Sequence, residues 1–194
     1  MADPPTLILA STSRYRQELL ARLRLPFEAV APEVDETALP GEAPAALAER
    51  LALAKARVVA ARFPGAIVIG SDQVADLAGE AIGKPGTHEA AAAQLRRMSG
   101  REVVFQTAVA VVAPGLAAIE RAEVRVRLRE LSDAAIETYL RADEPYDCAG
   151  SAKVESLGIA LLEAVESDDP TALIGLPLIR TCALLRRAGL EPLA

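Results

Sequence analysis

The chain has 194 residues, 52 % of them apolar, with a net charge of −6, one histidine and two cysteines. The apolar content excludes disorder. The charge excludes a non-specific nucleic-acid binder, and the single histidine and two cysteines exclude a Cys/His metal cluster or a disulfide framework. In chain order, Leu7 to Ala10 reads as a short strand, and Gln17 to Leu23 has helical spacing, with Ser11, Thr12 or Ser13 as cap. Phe27 to Ala31 reads as a strand, followed by a polar loop and a long Ala/Leu-rich helix from Pro44 to about Arg62. The apolar run Ala66 to Ile69 predicts a strand that ends in Gly-Ser-Asp-Gln, with Asp72 at its end, before a hairpin and loop in "AGEAIGKPG". A helix capped by Thr87 and closed by Gly100 is followed by a strand from Glu102 to Ala113 and a half-buried one marked by Val124, Val126 and Leu128. Ser132 caps a helix to about Arg141, Gly158 to Val165 reads as a strand, and Pro177 to Arg187 is the last helix.

This mixture of βα units and hairpins predicts a mixed, twisted α/β sheet with helices on its faces, in one domain over residues 1–194. Apolar runs are broken by Arg or Glu well short of the roughly 18 residues of a membrane span, so no membrane partner is expected. The start Met-Ala-Asp-Pro-Pro lacks a basic-then-apolar leader, which makes a cytoplasmic location the expectation.

Polar stretches recur where strands and helices end. "STSRYR" offers three hydroxyls and Arg16 at a helix start, either as an ordinary cap or as a phosphate cradle. Asp35 and Glu36 are either solvated or hard-cation ligands. Lys55 is a lone charge on an Ala/Leu helix, either snorkelling or functional. Asp72 and Gln73 are followed by Lys84 in "GKP". Lys153 and Glu155, two apart, point to one side if the segment is extended. Of 21 basic residues only Lys55, Lys84 and Lys153 are lysines, so each marks a candidate position for a compact ammonium rather than a planar fork. Together these groups suit a phosphate-bearing substrate with a divalent cation. There is no Walker A loop and no G-x-S-x-G elbow.

The stretches "LILASTSRYRQELL", "PEVDE", "RLALAKA", "IGSDQV", "GKPGTHEAAAAQLRRMSGR", "VFQT", "YDCAGSAKVESLGIALLE" and "DDPTALIGLPL" resemble, in order, the Maf family of nucleoside triphosphate pyrophosphatases, over about residues 6 to 190. "STSxYR", "SDQV", "CAGS" and "ALIGLPL" most resemble the branch that hydrolyses 7-methyl-GTP. The resemblance implies an inosine-triphosphatase-like fold, often dimeric, with two lobes around an active-site cleft. It also implies hydrolysis between the α- and β-phosphates with Mg²⁺, Mn²⁺ or Co²⁺. Position by position, Asp72 matches the proton acceptor. Ser11, Arg16, Glu36, Lys55 and Lys84 match phosphate- and metal-handling positions, with Glu36 and Asp72 the metal ligands. Tyr15, Gln73 and Glu155 match positions that set base preference, and Lys153 belongs to the same substrate-binding stretch. This chain departs at Arg14, where the family has proline, at Ala152, where it has an aromatic, and at Ser156, where it has glycine. Two rival readings are a dTTP/UTP pyrophosphatase of the sister branch, against which Tyr15 and Gln73 argue, and a non-catalytic nucleotide-binding regulator of cell division, against which Asp72, Lys84 and Glu36 argue.

Overall fold

The computed structural model describes residues 5–194. Its strands are β1 (Leu7–Ala10), β2 (Glu28–Ala29), β3 (Ile67–Leu77), β4 (Glu80–Ile82), β5 (Glu102–Ala113), β6 (Leu116–Leu128) and β7 (Leu162–Ser167). Its helices are α1 (Arg14–Ala21), α2 (Pro44–Ala60), α3 (His88–Met98), α4 (Asp133–Asp143) and α5 (Leu178–Arg187). The strands form one mixed sheet in the order β2-β1-β3-β5-β6-β7, with β4 also on β3. β1 is parallel to β2 and β3, and the remaining pairs are antiparallel. Among the described residues no helix is long and apolar enough to cross a membrane.

Side-chain alternation along β3 sorts the core. Val68 and Val74 join α2 on one face. Ile67 and Ile69 face the other way, into a cluster with α1 and α5. Ala75 and Leu77 have the same parity as Ile67 but belong to a separate cluster with α3 and α4. Two apolar cores therefore share one face of the sheet, and the polar residues Ser71 and Gln73 lie between them. These are the two expected lobes, each built around its own helix pair.

The edge of β3 shows why a cleft opens there. β1 ends with Ala10 opposite Gly70, and β4 begins pairing at Ala75 opposite Ile82. Between them Ser71, Asp72, Gln73 and Val74 have a neighbouring strand on one side only, namely β5. A gap in a sheet edge lets side chains from both faces of the strand reach the same space.

Several expected boundaries move. The strand expected to end at Asp72 continues to Leu77, so Asp72 lies mid-strand. Polar residues do not end it, because Ser71 Oγ lies 2.8 and 3.0 Å from the carbonyls of Ala108 and Gly175 and its one proton is shared between them inside the fold. α1 begins three residues earlier than its apolar spacing suggests, because Ser13 accepts from the Arg16 amide and caps it. Only Glu28 and Ala29 of the second expected strand pair with β1. The strand expected from Gly158 begins at Leu162 instead, after a short 3₁₀ turn over Leu157–Leu161. At Gly158 the chain folds back on itself: a Cβ there would lie 2.4 Å from the Lys153 carbonyl oxygen.

Candidate active site

A cavity of about 450 Å³ fills the gap between the lobes. The loop from β1 into α1 forms one wall with Ser11 and residues 12–16, and Pro32, Glu36 and Lys55 line the floor. The opposite wall carries Gln73, Lys84, Asp147, Cys148, Ala149, Ala152 and Glu155, and Leu173, Ile174 and Gly175 close the back.

Lys55 is the hinge of the arrangement. α2 packs against β3 at Gly70, where an added Cβ would lie 2.2 Å from the Ala52 carbonyl oxygen. That close approach carries Lys55, only 4 % exposed, onto the strand two residues further on. Its Nζ lies 2.6 Å from Asp72 Oδ1 and 2.7 Å from Glu36 Oε1. A snorkelling lysine is thereby ruled out. Burial raises the Glu36 pKa, but the hydrogen bond and charge of Lys55, with Lys84 and Arg16, outweigh it and hold the carboxyl below its ordinary value. Asp72 is 7 % exposed. Its Oδ2 has no hydrogen-bond partner among the described residues, yet no unpartnered side-chain oxygen there is sealed from solvent. Oδ2 is therefore an unpartnered acceptor that is not sealed from solvent, although Asp72, like Lys153, is absent from the cavity wall, where its partner Lys55 stands.

Arg16 donates from Nε to the Gly175 carbonyl at 2.9 Å and lines the cavity. Burial lowers its pKa, and Asp72 and Glu36 oppose the shift. Lys84 lines the cavity with no ion-pair partner among the described residues. The "STSRYR" stretch is both a cap and a wall: Ser13 caps α1, Ser11 Oγ accepts from the Ser13 amide at 3.1 Å, and both residues line the cavity.

The positions expected to meet a base differ in their freedom. Gln73 Nε2 donates to the carbonyls of Ala172 and Leu173 at 2.9 and 3.0 Å and lies 3.0 Å from Thr107 Oγ1. Carbonyls only accept, so the amide orientation is fixed and only Oε1 is left for a ligand. Tyr15 has a cation on its ring already, the Arg14 guanidinium 4.9 Å from the ring centroid. Glu155 is exposed in the wall with no hydrogen-bond or ion-pair partner among the described residues.

Lys153 is a correction to the expected set. Its Nζ donates to the carbonyls of Asp143 and Glu144 at 2.7 and 3.3 Å, and it is absent from the cavity wall. The segment turns rather than extends, so Lys153 and Glu155 do not share a side. Conversely, the turn at Ala172–Ile174 gains no structural role from sequence, although "ALIGLPL" carries part of the family resemblance. Its carbonyls and Gly175 anchor Gln73, Ser71 and Arg16, a job done by main chain that no side-chain pattern announces. Cys148 and Asp147 were also missed. Burial, then Asp147, pushes the Cys148 thiol up to about 12, so it is inert as a nucleophile.

Among the described residues no three His, Cys, Asp or Glu side chains are gathered as a metal site. Glu36 and Asp72 present hard oxygens on either side of one ammonium, a donor set that suits a small divalent cation only when phosphate oxygens and water complete it.

The family pattern described as Maf-like protein matches residues 6–188. The chain belongs to the Maf family. It is 63 % identical over 189 residues to a 7-methyl-GTP pyrophosphatase of Albidiferax ferrireducens, covering 96 % of this chain and 95 % of that one. It is 67 % identical over 185 residues to the protein of the same name from Polaromonas sp., covering 94 % and 84 %. The Bordetella pertussis relative, also of that name, is 62 % identical over 192 residues, covering 99 % and 96 %. Among solved structures, the Staphylococcus aureus Ham1 protein overlaps 64 % of this chain and 72 % of its own, at 15 % identity and a TM-score of 0.47.

Proposed function

We propose that this chain hydrolyses 7-methyl-GTP between its α- and β-phosphates, giving 7-methyl-GMP and pyrophosphate. That it is a nucleotide pyrophosphatase, a hydrolase of the phosphoanhydride bond, follows from its family and from full-length relatives of that name. The observation that carries the mechanism is the unpartnered Oδ2 of Asp72, one ion pair behind the Lys55 of the cavity wall, while Oδ1 is fixed by that lysine. Oδ2 takes a proton from a water as that water's oxygen bonds to the α-phosphorus. The bond from that phosphorus to the bridging oxygen breaks, and pyrophosphate leaves with the electron pair. Lys55 keeps Asp72 in one rotamer and offsets its charge. Arg16 and Lys84 receive phosphate oxygens. Glu36 and Asp72 would hold a divalent cation together with phosphate oxygens, and such an ion stabilises the charge that develops on the phosphates.

On the base side, Gln73 Oε1 and the Glu155 carboxylate are both acceptors. They match the adjacent N1 and N2 donors of guanine better than the single donor of uracil or thymine, which two carbonyls flank. The negative charge of Glu155 also favours a base carrying the positive charge of N7 methylation. Tyr15 supports stacking of that cation on the ring face that Arg14 leaves free, an attraction of roughly 0.5–2 kcal/mol. The test is pyrophosphate release over a panel of 7-methyl-GTP, GTP, dTTP and UTP. The highest kcat/KM is expected on 7-methyl-GTP. Equal efficiency on 7-methyl-GTP and GTP would remove this account of the base pocket and leave the pyrophosphatase assignment in place.

A further inference from the structure

Glu155 does not sit on a strand or helix. It stands at the crest of a six-residue segment, Lys153–Gly158, whose longer-range hydrogen bonds run to the C-terminal half of α4 and to Glu144 just after it, with Lys153 Nζ also 3.8 Å from Asp147 Oδ1. Lys153 Nζ donates to the carbonyls of Asp143 and Glu144, and the Lys153 amide donates to Tyr139 Oη at 2.9 Å. On the far side of the crest, Ser156 Oγ donates to Asp143 Oδ1 at 2.8 Å and the Gly158 amide to Asp143 Oδ2 at 3.1 Å. The Ser156 amide closes the loop on the Lys153 carbonyl at 3.1 Å. The loop's two feet touch, since no side chain fits at Gly158 against the Lys153 main chain. Within this loop the Glu155 carboxylate alone among the polar side chains is left without a partner among the described residues.

Ser156 thus has a use in this chain. Its hydroxyl makes a bond to Asp143 that the glycine usual at this position cannot make. α4 itself is anchored in the far lobe through Ile136, Tyr139 and Leu140 and does not reach the cavity. We propose that Asp143 is a positioning residue for base selectivity: it holds the crest that carries Glu155 in place and acts on substrate only through it. This rests on the reading that Glu155 faces the base. A carboxylate held at one point discriminates between a cationic and a neutral base, whereas one spread over several positions does so less well. The phosphate chemistry proposed for Asp72 and Lys55 lies on β3 and α2, and among the described residues no hydrogen bond or ion pair joins either of them to this loop.

The experiment compares kcat and KM on 7-methyl-GTP and GTP, with melting curves, for Asp143→Ala, Asp143→Asn, Ser156→Ala and Glu155→Ala, and for Asp143→Ala combined with Glu155→Ala. Asp143→Ala is expected to cut the ratio of kcat/KM for the two substrates by about tenfold, the scale of one hydrogen bond to a charged group. The loss should appear in KM for 7-methyl-GTP, with kcat on GTP nearly unchanged. Asp143→Asn keeps one acceptor and should fall between. In the Glu155→Ala background, Asp143→Ala should change the ratio no further. An equal loss on both substrates, or a further fall of the ratio in the double variant, overturns the proposal. So does selectivity lost in Glu155→Ala but kept in Asp143→Ala. Unchanged selectivity in Glu155→Ala overturns the reading of Glu155 and the proposal with it. If Asp143→Ala does not fold, Ser156→Ala removes one of the two bonds and must show the same direction of change, and a flat ratio there overturns the proposal.

Discussion

Lys55 places one positive charge between two carboxylates, within 2.7 Å of Glu36 and 2.6 Å of Asp72. Without it, Asp72 would carry an unpaired charge inside the sheet, a cost of several kcal/mol. With it, one oxygen of Asp72 is fixed and the other is left without a partner, as the proposed general-base role requires. Asp72→Asn keeps an oxygen for Lys55 and offers an amide where the proton must go. Pyrophosphate release should fall by about 10²–10⁴-fold, while the melting curve shows a folded protein. More than half of wild-type activity in this variant would take Asp72 out of the mechanism. At this scale the sequence was legible wherever side chains meet side chains, as with Asp72, Glu36 and Lys55. It was opaque for Lys153 and for the Nε2 of Gln73, which are committed to main-chain carbonyls, and a carbonyl has no letter in a sequence.

The Lys55–Asp72 pair exists because a helix and a strand touch. Gly70, Ala52 and Ala56 let α2 approach β3 until backbone meets backbone, and Lys55 lands on Asp72. A methyl group at Gly70 must displace the helix, since the obstacles, at 2.2 and 2.6 Å, are main-chain atoms. Gly70→Ala should therefore cost about 1–3 kcal/mol or more by denaturant unfolding, and lower kcat although it touches no substrate. A variant with wild-type kcat and stability would contradict this packing account. The polar loop before α2 is held by a second device. Glu42 accepts from Arg50 at 2.6 and 2.8 Å and from the Leu39 amide at 3.0 Å, and the Arg50 bonds, then the Leu39 bond, pull its pKa from 4.5 to about 2. A depressed carboxyl pKa stabilises the fold fully above the unfolded value and loses that contribution as pH falls through the folded value. The loop's attachment should therefore weaken between pH 4.5 and 2. The Leu39 amide shift, followed by NMR, should titrate with a midpoint near 2, and a midpoint at 4.5 would show that Glu42 is not tied. Helix positions were largely readable from caps and periodicity, as at Thr87 and Ser132. The length of β3 was not, because its polar residues are satisfied by partners distant in sequence, Ala108 and Gly175.

The whole molecule carries −6 and binds, on the reading above, a polyanion. The cleft arises from strand order, with β1 stopping at Gly70 and β4 starting at Ala75, and no local pattern in the sequence says which strands neighbour which. That gap gathers Arg14, Arg16, Lys55 and Lys84 against Glu36, Asp147 and Glu155 in the walls, with Asp72 behind Lys55. The cations thus do no more than match the carboxylates. Lys55 is already bonded to two of those acids, and Arg14 lies over Tyr15, so Arg16 and Lys84 are the cavity cations left to meet phosphate. Two such cations face a triphosphate inside a protein of net charge −6, which leaves charge for a further cation to offset. On the proposed reading, a divalent cation entering with the substrate would supply that charge, and Glu36 and Asp72 would hold it. Pyrophosphate release should therefore vanish in a chelator and return with Mg²⁺, Mn²⁺ or Co²⁺, and Glu36→Gln should raise the metal concentration needed for half-maximal rate. An undiminished rate in chelator would show that Arg16 and Lys84 suffice, and that Glu36 serves only to hold Lys55.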